Sequence, residues 1–228
     1  MENGKIKSME KRNLITGQIY HIFTKSIAGF KVFNNDIEFK RFKNTFVYYQ
    51  KKAPLVKFSW FIKSKEIQKT NSKIFLDNAR KENLVNIVAY CIMPTHIHFI
   101  LEQTMENGIS TFMSNTLNSY TRYFNTSHNR KGPLWEGKFK SIIVGSDVYL
   151  VHLTRYLHLN PVTALIIETP DKWKYSSYPE YIADERIENK ICNYTGILEI
   201  KPDIYKAFVE DRISYQKELA KIKDLIIE

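Results

Sequence analysis

The sequence has few of the features that mark secreted, membrane or nucleotide-hydrolysing proteins. Only two cysteines occur in 228 residues, Cys91 and Cys192, and they lie far apart. This spacing gives no support for a disulfide framework and predicts a reducing, cytoplasmic setting. The first residues lack the apolar segment of a signal peptide, and no apolar run reaches transmembrane length, so no membrane partner is expected. A glycine-rich phosphate loop is also missing, so the sequence predicts no ATP site.

Acidic residues are scarce in the first third of the chain. The formal net charge is +10 and the pI is about 9.4. Residues 1–83 carry a charge of +11, residues 84–145 carry +2, and residues 146–228 carry −3. A basic excess concentrated at the front predicts a surface that meets an anionic partner, such as a phosphate backbone.

The order of predicted elements is that of a ferredoxin-like α+β domain. Strands are predicted at 18–24, 85–93, 95–103 and 137–144, and helices at about 36–50, 110–127 and 147–159. This order, with an antiparallel sheet, is the split βαβ pattern. The apolar strand at 85–93 is expected to be central, Ile37 to lie on the apolar side of the first helix, and Pro161 to stop the third helix.

The chain divides into three predicted parts. Residues 1–13 are expected to form a flexible basic arm, and residues 14–165 the main domain, with an insertion at about 51–72. Residues 166–228 are expected to form a mostly helical extension, with an amphipathic terminal helix from about Asp211.

Two histidines stand in an apolar strand. Because side chains alternate between the faces of a strand, His96 and His98 share one face, and Ile97 and Phe99 share the other. Two adjacent imidazoles form a bidentate site for a divalent metal. The spacing alone also fits histidines that only pack, so a second element is needed to support the metal site.

The helix before Pro161 supplies that second element. A stripe of leucines at 150, 153 and 157 is expected to pack on the sheet. Beside it, at spacings of four, run His152, Tyr156 and Asn160, which fits either a polar helix edge or a group aimed at the histidines. In the second case Asn160 offers a carbonyl oxygen as a third metal ligand, with Tyr156 beside it.

Four sequence blocks, at 93–98, 132–141, 155–162 and 173–178, resemble single-tyrosine HUH transposases of the IS200/IS605 type, and most of all REP-associated tyrosine transposases. The resemblance covers roughly residues 15–182 and implies that 14–165 is the catalytic domain. It implies that Tyr156 is the nucleophile and that His96, His98 and Asn160 bind Mg²⁺ or Mn²⁺.

The resemblance also implies a reaction and a partner. The expected activity is cleavage and rejoining of single-stranded DNA through a 5′-phosphotyrosine. The expected partners are DNA hairpins at element ends or in REP-like repeats, met by a monomer or homodimer associated with the nucleoid. Arg155, Lys138 and Lys140 are candidate phosphate contacts, and Trp135 is a candidate either for stacking on a base or for packing in the core.

Two other functions remain open at this point. A non-catalytic DNA- or RNA-binding module on the same fold would keep the basic surface without needing the histidines, Tyr156 and Asn160 together. A zinc hydrolase would use the two histidines with Glu102, four residues after His98, as a weaker third ligand.

Overall fold

A four-stranded antiparallel sheet forms the centre of the protein in a computed structural model that describes residues 14–52, 56–63, 82–183 and 190–218. The strands are β1 (Ile19–Lys25), β2 (Val85–Met93), β3 (His96–Gln103) and β4 (Lys140–Ile143). Their order in the sheet is β2-β3-β1-β4. This order confirms the ferredoxin-like α+β fold. The predicted arm at 1–13 and much of the predicted insertion at 51–72 lie outside the described residues.

Two helices cover one face of the sheet. They are α1 (Asp36–Tyr49) and α3 (Gly108–Ser127), with the short α2 (Phe58–Lys63) between them in the chain. Phe99 on β3 packs against Phe46 of α1 and Phe112 of α3, with ring centroids 5.1 and 5.7 Å apart. The prediction for Ile37 was wrong: it is 71% exposed, because α1 turns its stripe of Phe39, Phe42 and Phe46 inward instead.

The opposite face carries α4 (Asp147–Thr163), which contacts β2 and β3. The Ser146 hydroxyl accepts a hydrogen bond from the Tyr149 amide at 3.2 Å and so caps the first turn. The predicted stop at Pro161 was wrong, since α4 includes it and ends at Thr163. A proline this close to a helix end removes one donor, while the next turn still closes from the Ala164 amide to the Asn160 carbonyl at 2.9 Å.

Strand β2 lies at an edge of the sheet, not in its centre as its apolar sequence predicted. All nine of its residues are nevertheless buried. The C-terminal extension covers the edge: the Ile92 amide donates to the Tyr175 carbonyl at 3.0 Å, and the Ser177 amide donates to the Tyr90 carbonyl at 2.9 Å. An edge strand can therefore be nearly all apolar when another segment forms hydrogen bonds with its backbone.

The extension contains α5 (Tyr178–Ile182) and α6 (Pro202–Glu210). Residues 213–218 are also helical, which agrees with the terminal helix that the sequence predicted from about Asp211. Strand β4 is shorter than predicted, with four mostly exposed residues after Gly137 at φ 148°. Within the described residues, no helix is both long and apolar enough to span a membrane.

Candidate active site

A cavity of about 870 Å³ opens between α4 and the sheet face opposite α1 and α3. Strand β3 contributes His96 and His98, and α4 contributes Tyr156. These residues are sixty positions apart in the sequence. The sheet and the leucine stripe of α4, which is buried at Leu150, Leu153 and Leu157, bring them to one place.

The two histidines of β3 are side by side as strand alternation predicted. Their ring centroids are 5.0 Å apart and the rings are nearly perpendicular, at 88°. The Thr95 hydroxyl lies 3.0 Å from Nδ1 of His96 and orients that ring. His98 is only 7% exposed. Both rings therefore have fixed positions at the floor of the cavity.

A third histidine, which the sequence reasoning missed, joins this pair. His21 on β1 places Nε2 3.0 Å from Nδ1 of His98, with the two rings stacked at 20°. The signal was present in the alternation of β1, where His21, Phe23 and Lys25 share one face. It becomes readable only when β1 is known to pair with β3, which sets Phe23 opposite His98 and Lys25 opposite His96.

Burial keeps all three imidazoles neutral near pH 7. It lowers the pKa of His21 to about 4. Burial, with a smaller effect from the Lys25 charge, also lowers the pKa of His96 to about 4. The pKa of His98 falls well below its usual range, first through burial and then through His96, His21 and Lys25. Neutral rings leave ring nitrogens free to bind a metal without first losing a proton.

Tyr156 lies at the mouth of the cavity, 49% exposed. Its ring centroid is 5.8 Å from that of His98 and 6.3 Å from that of His21, each in an edge arrangement. Partial burial raises the pKa of the phenol, whereas the Asn160 side chain acts in the opposite direction. The hydroxyl is therefore protonated at neutral pH, and it needs activation before it can attack.

Tyr149, the second tyrosine of α4, also lines the cavity and is 41% exposed. It has no ring contact with the histidines comparable to that of Tyr156 among the described residues. Tyr149 therefore serves as a matched comparison for Tyr156, with the same side chain in the same cavity.

Asn160 is not among the residues that line the cavity. Its amide nitrogen donates to the Tyr156 carbonyl of its own helix at 3.0 Å. Across the described ranges, no three His, Cys, Asp or Glu side chains are arranged to enclose a metal ion. The donor set that fits a divalent ion here is the imidazole pair of His96 and His98, with water or phosphate oxygens completing the ligands.

The predicted DNA-contact residues are placed in three different ways. Lys138 and Lys140 are exposed on and before β4. The Arg155 guanidinium stacks on Phe208 of α6, 3.9 Å from the ring centroid, and donates to the Phe208 carbonyl at 3.2 Å. Trp135 is 7% exposed and its indole donates to Thr121 at 3.1 Å. Its burial argues against the predicted stacking on a base, because an enclosed ring offers no free face.

Comparison with known proteins agrees with these features. Residues 55–160 match the family model described as "Transposase IS200 like". A curated relative from Haemophilus influenzae, named as a REP-associated tyrosine transposase, is 29% identical over 102 residues. That match covers 40% of this chain and 57% of the relative, so the chain spans little more than half the length of the curated protein it matches. The resemblance to IS200-like and REP-associated transposases is confirmed.

Two solved structures are also similar. One is a REP-associated tyrosine transposase bound to a REP hairpin, with a TM-score of 0.43, 14% identity, and coverage of 85% of this chain and 98% of that one. The other is a transposase-like protein from Deinococcus radiodurans, with a TM-score of 0.34, 14% identity, and coverage of 65% and 95%.

Proposed function

We propose that this chain, which carries the IS200-like transposase match, cleaves and rejoins single-stranded DNA that bears a hairpin, with Tyr156 as the nucleophile. The observation that carries the proposal is the meeting of Tyr156 with His96 and His98 in one cavity. A tyrosine beside two neutral imidazoles combines a nucleophile with ligands for a divalent ion.

Each residue has a defined part in the proposed step. His96 and His98 would hold Mg²⁺ or Mn²⁺ through ring nitrogens, and the bound ion would supply the positive charge that polarises the scissile phosphate. The Tyr156 oxygen bonds to phosphorus as the bond from phosphorus to the 3′ oxygen breaks. The phenol proton passes to solvent, which reaches the half-exposed ring, and the departing 3′ oxygen takes up a proton.

The products explain how rejoining follows. The step leaves a 5′-phosphotyrosine and a free 3′-hydroxyl, so the energy of the phosphodiester bond is kept in the covalent adduct. A 3′-hydroxyl can then attack the adduct and restore a phosphodiester. Tyr156 is half-exposed where the cavity opens, so a DNA strand can reach its hydroxyl.

The decisive experiment detects the adduct. Hairpin-bearing single-stranded DNA with Mg²⁺ or Mn²⁺ is expected to give a covalent complex on a denaturing gel, with the label mapped to the peptide containing Tyr156. Tyr156→Phe should abolish it, because only the hydroxyl is lost. Tyr149→Phe, in the same cavity, should retain it.

Two outcomes would contradict the proposal. An adduct that persists in Tyr156→Phe, or that maps to Tyr149, would reject Tyr156 as the nucleophile. DNA binding with no adduct for any hairpin would favour the non-catalytic binding module instead.

A further inference from the structure

A second cavity, of about 440 Å³, lies between α1, α2 and α3. Among the described residues that line it, four are cationic and none is Asp or Glu. The four are Arg41, Lys57, Lys63 and Arg122. Hydroxyl groups, including those of Ser119 and Thr126, line the same space. Cations and hydroxyl donors without a carboxylate are the chemistry of an anion site.

Arg41 is held in this cavity without an anionic partner in the part of the chain that the structure describes. Its guanidinium carbon lies 4.5 Å from the centroid of the Phe58 ring and 4.9 Å from that of Tyr123. Two aromatic rings thus fix the guanidinium through cation–π contact. Among the residues with described positions, its buried Nε has no hydrogen-bond acceptor and no carboxylate forms an ion pair with it.

The burial of the Arg41 guanidinium favours the binding of an anion in this cavity. Burial lowers the pKa of the Arg41 guanidinium, and the phenols of Tyr123 and Tyr49 only partly counter that effect. A buried donor with no acceptor is unfavourable, and a charged one more so. A phosphate bound in the cavity would balance the charge of the guanidinium, because Arg41 lines that space.

The second cavity is separated from Tyr156 by the sheet. Phe99 faces α1 and α3, whereas its neighbour His98 faces Tyr156, because adjacent strand residues point to opposite faces. An anion held here therefore lies away from the cleaved bond. Such an anion would belong to a part of the bound DNA that is held in place and not cleaved.

We propose that this cavity binds backbone phosphates of the DNA hairpin stem, with Arg41 as the fixed inner contact and Arg122 and Lys57 as outer contacts. The proposal rests on the function proposed above and adds a binding site for it on the far face of the sheet. Cations from three separate helices suit successive phosphates of one strand better than a single free anion. Planar guanidinium groups also match phosphate oxygens in pairs.

The test removes the exposed cations, since Arg41 also packs helices together. Lys57 and Arg122 are exposed, and Lys57→Gln with Arg122→Gln is not expected to disturb the core. Lys201→Gln with Lys206→Gln on α6 removes the same charge from another exposed surface and is the matched control. Hairpin affinity is measured as a function of salt for both pairs.

The cavity pair should weaken hairpin binding and lower the slope of log affinity against log salt by about 1.8, since each neutralised duplex phosphate contributes about 0.9. The control pair should change the slope much less. Replacing single stem phosphates by uncharged methylphosphonates identifies the contact. At one or two positions the replacement should weaken the wild type but not the cavity pair.

Several results would overturn the proposal. The first is an equal change in hairpin affinity and salt slope for the cavity pair and the control pair. The second is that no methylphosphonate position in the stem weakens binding of the wild type alone. If inorganic phosphate raises the melting temperature of the wild type but not of Arg41→Gln, and no stem position couples, the cavity is a free-phosphate site. Adduct formation is measured in parallel. If the Tyr156 adduct forms normally and the cavity pair leaves the salt slope unchanged, only this inference is rejected. If hairpin binding depends on the cavity residues but no adduct forms, only the proposed catalysis is rejected.

Discussion

His158 provides a test of how the tyrosine-bearing helix is held. Its ring is fully buried between α4 and the C-terminal extension. Nδ1 lies 2.7 Å from the Tyr205 hydroxyl, and Nε2 lies 2.8 Å from the Ser177 hydroxyl. The imidazole therefore joins α4 to two segments of the extension, two residues after Tyr156.

Replacing His158 by Leu removes both hydrogen bonds and keeps a side chain of similar bulk. The Ser177 hydroxyl still accepts a hydrogen bond from the Tyr90 amide at 2.9 Å, so it keeps one partner in the variant. We expect a loss of about 2 kcal/mol in the free energy of unfolding at pH 7.5, within the range of about 1–3 kcal/mol for disrupted buried polar groups.

The effect should depend on pH in a definite direction. Burial lowers the pKa of His158 to about 3, against about 6.5 in an unfolded chain. Below pH 6.5 the unfolded state therefore binds a proton that the folded state refuses, so stability falls as the pH falls from 6.5 toward 3. The slope for one group is about 1.4 kcal/mol per pH unit, which gives about 2 kcal/mol at pH 5.

The wild type carries this pH penalty and His158→Leu does not. The stability difference between them should thus shrink from about 2 kcal/mol at pH 7.5 to near zero at pH 5. Urea unfolding with a chelator present, at several pH values, measures it. Ser177→Ala removes one hydrogen-bond partner of His158 but keeps the titrating ring. Its free energy of unfolding plotted against pH should therefore run parallel to that of the wild type. A His158→Leu curve that also stays parallel would refute the reasoning.

Three further predictions concern the cavity and the fold. His98→Ala should reduce DNA cleavage by orders of magnitude while hairpin affinity changes little, because phosphate contacts elsewhere provide the binding. An equal loss in cleavage and binding assays would indicate a structural histidine. Removing divalent metal with a chelator should stop adduct formation, and Mn²⁺ should restore it, since imidazole ligands suit Mn²⁺; adduct formation at an undiminished rate in the chelator would exclude the metal. Gly108→Ala should lower the melting temperature markedly, because a Cβ there would lie 2.0 Å from the Leu84 carbonyl oxygen. Gly145→Ala should not lower it, because a Cβ there would have no atom within 4 Å. Similar melting temperatures for the two variants would contradict the steric argument.

Local periodicity explains why much of the fold could be predicted. Alternation along β3 placed His96 and His98 on one face, and the structure has them there. The leucine stripe of α4 predicted which side of that helix packs, and Asn35 predicted where α1 begins, with its side chain accepting from the Glu38 amide at 3.1 Å. These features depend on neighbours within one or two turns, which the sequence itself contains.

The misplaced features depend on partners that are distant in the chain. Strand β2 reads as central because it is nearly all apolar, yet it is an edge strand covered by residues more than eighty positions later. Trp135 reads as a candidate for stacking on DNA, yet it packs beside Thr121 of α3. Composition shows that such residues need to be covered, but not what covers them.

The sequence by itself determined that two histidines share a strand face and that a tyrosine stands beside a leucine stripe, because both follow from the fixed periods of strands and helices. Only the tertiary structure decided that His21 joins His98, that Asn160 turns to its own helix, and that Arg41 lies between two aromatic rings. Each of these depends on strand pairing or helix packing between remote segments. Such contacts are selected by the burial of the whole core and leave no short-range signal in the chain.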